Sequence, residues 1–358
     1  MRNALAWVLA LAVTLALAAC GSPADSGSVS DAAVSEIGAD DAPVEEDSAD
    51  AAPAAVESSA VTCRIGVAAD QLETEYMQSY CNELKAYFAS LDSDAVQYDV
   101  TIADAGNDAD RQREQVEGLI ARGLNVIFLD LVPDAPADEM IDAIVAADIP
   151  LLLINREPPG DGDYAAIVEH TKACYVGADA RQAGTLQGEI IAELPDRGDL
   201  NGDGRISYIM IEGAAGDPDA RYRSEYSIRA LTDAGCAVEC LDAQSGNWDR
   251  DTAREICAAD LAALGDAVEV VFCGSDAMAL GAAEAVADAG RTVGKDIYLV
   301  GVDGLAECVR MVNEGTMTGT VLNDAGLQSR IAAEVAIAAL NDEEMQNYYW
   351  VDCVKVVR

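Results

Sequence analysis

The sequence predicts an α/β protein built as two doubly wound lobes with parallel sheets, joined by a hinge. Two observations carry this. Over residues 62–358 short runs rich in Val, Ile and Leu alternate with longer helical patterns, which is the signature of parallel strands covered on both faces by crossover helices. An apolar fraction of 51% in a chain of 358 residues is enough to bury a core and suits two domains of ordinary size. The strands read at residues 64–69, 98–103, 125–131 and 150–155, then again at 174–176, 206–211, 238–241, 269–273 and 297–302. In such sheets ligands bind beyond the carboxyl ends of the strands, so a cleft between the lobes is the expected site.

Upstream of the folded part, Arg2 precedes an apolar run at residues 4–19, followed by Leu17-Ala-Ala-Cys20-Gly-Ser22. The run is too short to span a bilayer and fits a signal h-region. It resembles a bacterial lipoprotein signal, which implies cleavage after residue 19 and a lipid on the Cys20 thiol. Residues 21–61 hold ten acidic residues and no basic ones among Ala, Ser, Gly and Pro. Such a segment cannot bury enough apolar surface to offset its ordering entropy, so residues 20–61 read as a solvated acidic tether.

Sixty-four acidic against 22 basic residues give a formal charge of −42, which argues against any phosphate-backbone partner. Nine cysteines follow Cys20, scattered and odd in number. Without a CxxC pair or a His/Cys cluster a zinc site is not expected, and disulfide pairing stays open.

Catalytic signatures are missing. There is no GxSxG and no GxGxxG after a strand. Gly290-Arg-Thr-Val-Gly294-Lys295 is one residue short of a P-loop and reads as a turn into the next strand. His170, the single histidine, has no nearby nucleophile and reads as a surface residue. One loop looks metal-like. Asp199, Asn201, Asp203 and Ser207 place oxygen side chains at loop positions 1, 3, 5 and 9, with a Gly at the sharp turn and the Arg205 carbonyl at position 7. Calcium is its natural occupant, but Met210 at position 12 cannot ligate a hard cation. A carboxylate from elsewhere must complete the set.

The chain resembles the bacterial periplasmic galactose/glucose-binding proteins, of the type I periplasmic sugar-binding family. The resemblance rests on stretches that run in order through the whole folded part. They are Arg64-Ile-Gly-Val67, Leu151-Leu-Leu-Ile-Asn155-Arg-Glu-Pro158, Tyr175-Val-Gly177, the loop at Asp199, Asp217-Pro-Asp219, Asn247-Trp248-Asp249, Ser275-Asp-Ala-Met278, Gly301-Val-Asp303 and Gly319-Thr-Val-Leu-Asn323-Asp324. The resemblance implies Glu269 as the missing bidentate calcium ligand. It also implies that Tyr76 and Trp248 sandwich the two apolar faces of a pyranose, and that Asn155, Asp219, Arg223, Asp303 and Asn323 bind its hydroxyls. Carboxylates accept from neighbouring hydroxyls while Arg and Asn donate to hydroxyl oxygens, giving charge-assisted bonds in a closed cleft.

Three positions depart from the family pattern: a histidine donor becomes Asp217, a first-lobe aspartate becomes Thr74, and an asparagine becomes Ser275. Exchanging donor for acceptor changes which hydroxyl arrangement can be satisfied, so the sugar stays open. Glu73 or Glu75 is placed to replace the lost carboxylate. The chain ends at Arg358, where family members still have a third interlobe segment and a final strand. Hinge crossings are therefore expected near 176–177 and 323–324, with a first lobe of residues 62–176 plus 324–358 and a second of 177–323.

The resulting expectation is a monomeric, lipid-anchored solute-binding protein outside the cytoplasmic membrane, not an enzyme. It would capture a monosaccharide, galactose or glucose ahead of a pentose, hold one structural Ca²⁺, and present its closed form to the permease of an ABC-type importer. A sensory module signalling to a chemoreceptor or receptor kinase would read closure in the same way. A cytoplasmic repressor of this fold is disfavoured by the signal, the absent helix-turn-helix and the acidity.

Overall fold

The computed structural model describes residues 60–133, 135–158 and 164–358. The signal, Cys20 and nearly all of the acidic tether lie outside these residues. The chain alternates strictly at first: β1 (Val61–Ala69), α1 (Glu75–Ser90), β2 (Val96–Asp104), α2 (Ala109–Ala121), β3 (Val126–Leu129), α3 (Ala137–Ala146), β4 (Leu151–Ile154), α4 (Ala165–Val168) and β5 (Ala173–Gly177). A second alternation follows with α5 (Ala180–Ala192), β6 (Ile206–Glu212), α6 (Pro218–Asp233), β7 (Val238–Ser245), α7 (Arg250–Leu264), β8 (Val270–Cys273), α8 (Asp276–Asp288), β9 (Tyr298–Asp303), α9 (Ala306–Glu314) and β10 (Gly319–Leu322). The chain closes with α10 (Ala325–Leu340), β11 (Tyr348–Trp350) and β12 (Val354–Val357).

These strands form two six-stranded sheets, ordered β11-β5-β4-β3-β1-β2 and β12-β10-β9-β8-β6-β7. Every pairing is parallel except that of β12 with β10. Successive side chains of a strand point to opposite faces, and the core divides accordingly. Phe128 packs with Met77, Leu84 and Phe88 of α1 on one face of the first sheet, while Ile127 and Leu129 pack with α2 and α3 on the other. In the second sheet Met210 joins α5 and α6, while Ile209 and Ile211 join α7 and α8. Burial on both faces explains why these strands read as continuous apolar runs.

The end of the chain corrects one expectation. β11 pairs with β5 in the first sheet and β12 pairs with β10 in the second, so the chain crosses between lobes a third time at residues 351–353. The third interlobe segment and the short strand after it are both present. The last residues, 354–357, belong to the second lobe and not, as assigned above, to the first. Each run is only three or four residues long and β12 lies antiparallel at an edge, which left too little periodicity to read. β10, four residues long between β9 and β12, was also not read as a strand. Lys355 of β12 is clamped by Glu189 at 2.9 Å and Glu193 at 2.6 Å on α5.

All nine cysteines from Cys63 onward are free thiols. Burial pushes Cys81, Cys174, Cys257 and Cys353 up to about 12, so they behave as small apolar residues. His170 is half-buried, 3.2 Å from Asp142, and the segment at Gly290 is a turn closed by Gly294 N–H donating to the Ile297 carbonyl.

Helix α5 meets α6 through two glycines. A Cβ on Gly184 would lie 2.5 Å from the Arg223 carbonyl, and one on Gly188 only 2.1 Å from that of Ser227. Gly188→Ala should therefore destabilise the protein by about 1–3 kcal/mol through overpacking of backbone against backbone. Gly118, exposed in α2 with nothing within 4 Å of its Cβ position, is the control. Gly118→Ala should stabilise by about 0.5–1 kcal/mol. Denaturant unfolding of the two variants checks the pair of opposite signs.

Candidate functional site

The carboxyl ends of both sheets deliver side chains to one cleft. From the first lobe come Asp70 after β1, Thr74 and Tyr76 at the start of α1, and Asn155 and Arg156 after β4. The second supplies Asp217, Asp219 and Arg223 around the start of α6, Trp248 after β7, Ser275 after β8 and Asp303 at the end of β9. All of these line a single cavity of about 60 Å³. That is well above the roughly 10–15 Å³ a cavity needs on this measure to admit one water.

Local structure explains how each arrives. Thr74, Asp217 and Ser275, the three positions that depart from the family pattern, are N-caps of α1, α6 and α8, accepting from Met77 N, Asp219 N and Met278 N. Short polar side chains at these positions satisfy otherwise orphaned amides, so capping is part of what each residue does. Asn155, Trp248 and Asp303 have φ of 59°, 62° and 123°, a conformation rare outside glycine. The indole fits only because residue 213 is glycine, where a Cβ would lie 2.1 Å from the Trp248 ring.

Two guanidinium groups organise the charge. Arg156, 7% exposed, donates from Nη2 to Asp70 at 3.1 Å and from Nε to Asp217 at 3.0 Å; Nη1 donates to the Leu131 carbonyl and lies 3.6 Å from Asp130. Trp248 Nε1 also donates to Asp217, at 3.2 Å. Arg223 donates to the Gly274 carbonyl at 2.8 Å and to Asp303 at 3.3 Å, and its guanidinium carbon lies 5.4 Å from the Trp248 ring centre. Two buried groups in this set have no hydrogen-bond partner, Arg223 Nε and the Tyr76 hydroxyl. Burial, with Asp217 alongside, pushes the Asp219 carboxyl up to about 7 against the opposing pull of Arg223 and Arg156. Asp130 is raised by burial and by Asp70, and Asp303 by burial.

Of the residues chosen from sequence, Tyr76, Asn155, Asp217, Asp219, Arg223, Trp248, Ser275 and Asp303 meet at the cavity. Asn323 does not line it. It stands behind, accepting from Gln328 at 2.5 Å and hydrogen bonding to the Asp303 carboxylate. Glu75 lines the cavity and Glu73 does not. Sequence reasoning missed Asp70, Asp130 and Arg156. Asp70 follows the predicted strand 64–69, Asp130 lies inside the predicted strand 125–131, next to the end of β3, and Arg156 follows the chosen Asn155, and that placement was the available signal.

The loop at Asp199 contributes no residue to this cavity. Asp199 accepts from Gly202 N and Gly204 N at 2.8 and 2.9 Å, Asn201 from Asp203 N at 2.8 Å, and Asp203 from Arg205 N at 3.0 Å. Glu269, 2% exposed, reaches in from the start of β8 and accepts from Asn201 N at 2.9 Å and Ser207 N at 2.8 Å. Among the described residues no three His, Cys, Asp or Glu side chains group tightly enough to hold a metal by themselves. The donors here are of mixed kind, with Asn201, Ser207 and the Arg205 carbonyl beside three carboxylates. The set offers oxygen donors alone, the kind a hard cation takes.

The pattern of the periplasmic binding protein domain family matches residues 65–344. The chain is 32% identical over 237 residues to the D-galactose/methyl-galactoside binding periplasmic protein of Haemophilus influenzae, covering 65% of this chain and 69% of that one. It is 26% identical to the ribose import binding protein of Escherichia coli, over 84% of this chain and 96% of the relative. Among solved structures, an ABC transporter periplasmic solute binding protein from Actinobacillus succinogenes with bound D-allose superposes with a TM-score of 0.71 at 23% identity, covering 82% of this chain and 97% of that one. The chain belongs to the periplasmic binding protein domain family, a family of two-lobed solute binders and not of enzymes.

Behind the cavity Asp276 is fully buried, bonded to Thr320 at 2.7 Å and to Leu305 N at 2.8 Å, with Asp303 nearby. Burial and then Asp303 push it up to about 8 from the ordinary 3.8, against the opposing hydrogen bonds. A raised carboxyl favours folding while protonated, so its contribution is complete below about pH 4 and is lost as pH rises to about 8. Asp276→Asn keeps the neutral shape. The stability difference between variant and wild type should shift in favour of the variant across that window, by on the order of 2 kcal/mol. Urea unfolding at pH 4.5 and pH 8.5 would refute this with a pH-independent difference.

Proposed function

We propose that this chain is an exported sugar receptor, lipid-anchored through Cys20, that closes on one hexose of galactose or glucose configuration and presents the closed form to the permease of an ABC-type importer. The observation that carries the reading is the cavity itself, lined by Tyr76 and Trp248 and by donors and acceptors contributed by both lobes. A ring hydroxyl meeting Asp219 or Asp303 donates to a carboxylate in a site closed from water, where such bonds are strongest. No bond is made or broken. The residues bind, orient and exclude water, and closure of the lobes is the signal passed on.

In this reading Asp199, Asn201, Asp203, the Arg205 carbonyl, Ser207 and Glu269 hold one Ca²⁺ whose role is structural. Metal bound only to the folded form stabilises it by mass action. Chelation should lower the melting temperature and Glu269→Gln should reproduce much of that loss, with one calcium per chain by metal analysis. A chelator without effect, together with no bound calcium after loading, would remove the metal from the account.

Calorimetry of the domain from residue 60 onward against hexoses, pentoses, amino acids and peptides tests the sugar reading. One monosaccharide per chain is expected, and binding of an amino acid or peptide with no sugar bound would overturn it. Trp248→Ala should weaken sugar binding by about 1–3 kcal/mol through the lost aromatic contact and the space it leaves. Retained affinity with a collapsed melting temperature would make Trp248 a core residue only.

A further inference from the structure

One phenol stands where the first lobe crossing meets the cleft wall. Tyr175, 0% exposed in β5, places its hydroxyl 2.9 Å from the Asn155 carbonyl and 3.0 Å from the Ala178 carbonyl. The first acceptor belongs to a residue that lines the cavity, and the second lies between β5 and α5, in the strip that joins the lobes. A phenol carries a single proton, so the two carbonyls share it. Burial, with Asp219 and Glu157 nearby, raises the phenol above its ordinary range and keeps that proton in place. The ring itself is held on the side of the third crossing. Its centre lies 6.0 Å from that of Tyr348 and 5.3 Å from that of Trp350, the last residue of β11. Gly177 makes room for the hydroxyl, since a Cβ there would fall 2.2 Å from the Tyr175 oxygen.

Asn155 needs such a hold. Its φ of 59° is a sparsely populated conformation that persists only where the surroundings fix it. The Tyr175 hydroxyl fixes its carbonyl, and with it the peptide plane that leads into Arg156. Domain opening turns the backbone of the strips between lobes, so the Ala178 carbonyl shifts against a ring that stays with the first sheet, and the division of the proton shifts with it. We infer that Tyr175 is a positioning residue of this binding protein: its hydroxyl couples the first hinge strip to Asn155, so that the lobe angle and the placement of that cavity residue are set together. The inference goes beyond the sugar reading, which gives Tyr175 no role, and requires no particular solute.

Tyr175→Phe tests it, because the variant keeps the ring and removes only the hydroxyl. In hydrogen–deuterium exchange without any solute, peptides covering residues 155–157 and 178–179 should both lose protection severalfold while β3 stays as it was. A hydroxyl of merely structural use would leave both segments as protected as before or loosen the whole first sheet alike, and either outcome overturns the inference. Calorimetry with D-galactose and D-glucose adds a second arm. Tyr175→Phe should weaken whichever sugar binds by about threefold to tenfold, the scale of one buried hydrogen bond. In an Asn155→Gly background, where the backbone conformation is still allowed but the side chain is gone, the same change should cost nothing more. No loss of affinity, or equal losses in the two backgrounds, overturns the coupling through Asn155. If neither sugar binds the wild type, the sugar reading falls and the exchange pattern alone decides the inference.

Discussion

The guanidinium of Arg156 sits among Asp70 and Asp130 of its own lobe and Asp217 of the other, and the geometry of the cleft depends on that placement. A buried charge is tolerable only when paired on several sides, so each partner must be held where it is. Asp217 is held twice, by capping α6 and by the indole N–H of Trp248. Asp130 is held by Asn155, whose amide lies 3.2 Å away. The chain from Asn155 to Glu157 thus supplies the cavity wall, its central cation and, through Glu157, an ion pair with Arg181 at 2.8 Å on the second lobe. Removing Arg156 would leave three carboxyl groups facing one another, a larger perturbation than the loss of any single ligand contact.

Much of this was legible in the sequence, for physical reasons. Strands buried on both faces, such as β3, β4, β8 and β9, cannot hide their apolar runs, and nine of the twelve strands among the described residues could be read, with them the rule that function gathers at their carboxyl ends. Trp248 was legible through Asn247-Trp248-Asp249, one of the stretches that carry the family resemblance. What escaped notice were roles made by convergence. Asp70 and Asp130 lie 60 positions apart, and neither means anything until β1 and β3 pair side by side. Arg156 falls within a stretch shared with the family, but only its distance to Asp217 on the opposite lobe gives it a role. The strands β11 and β12 escaped because an edge strand of three or four residues leaves almost no periodic record.

Strand β8 links the two candidate sites of the second lobe. Glu269 precedes it and reaches the loop at Asp199, while Ser275 follows it at the cavity. Only about 13 Å of strand separates their ends. The loop therefore anchors the amino end of a strand whose carboxyl end must present a cap residue accurately, which ties the rigidity of the cavity wall to that of a loop outside it.

Three chain segments join the lobes, at residues 178–179, 323–324 and 351–353. One tether would let two bodies tumble; two would still let them twist about the line that joins them. Three side-by-side strips, the last pinned by Val351 N–H to the Gly177 carbonyl and by Cys353 N–H to Gln182, leave little beyond a single opening angle, as in a door on a long hinge. Motion confined to one coordinate means that closing gives up little rotational freedom. More of each contact made with a bound solute then survives as affinity.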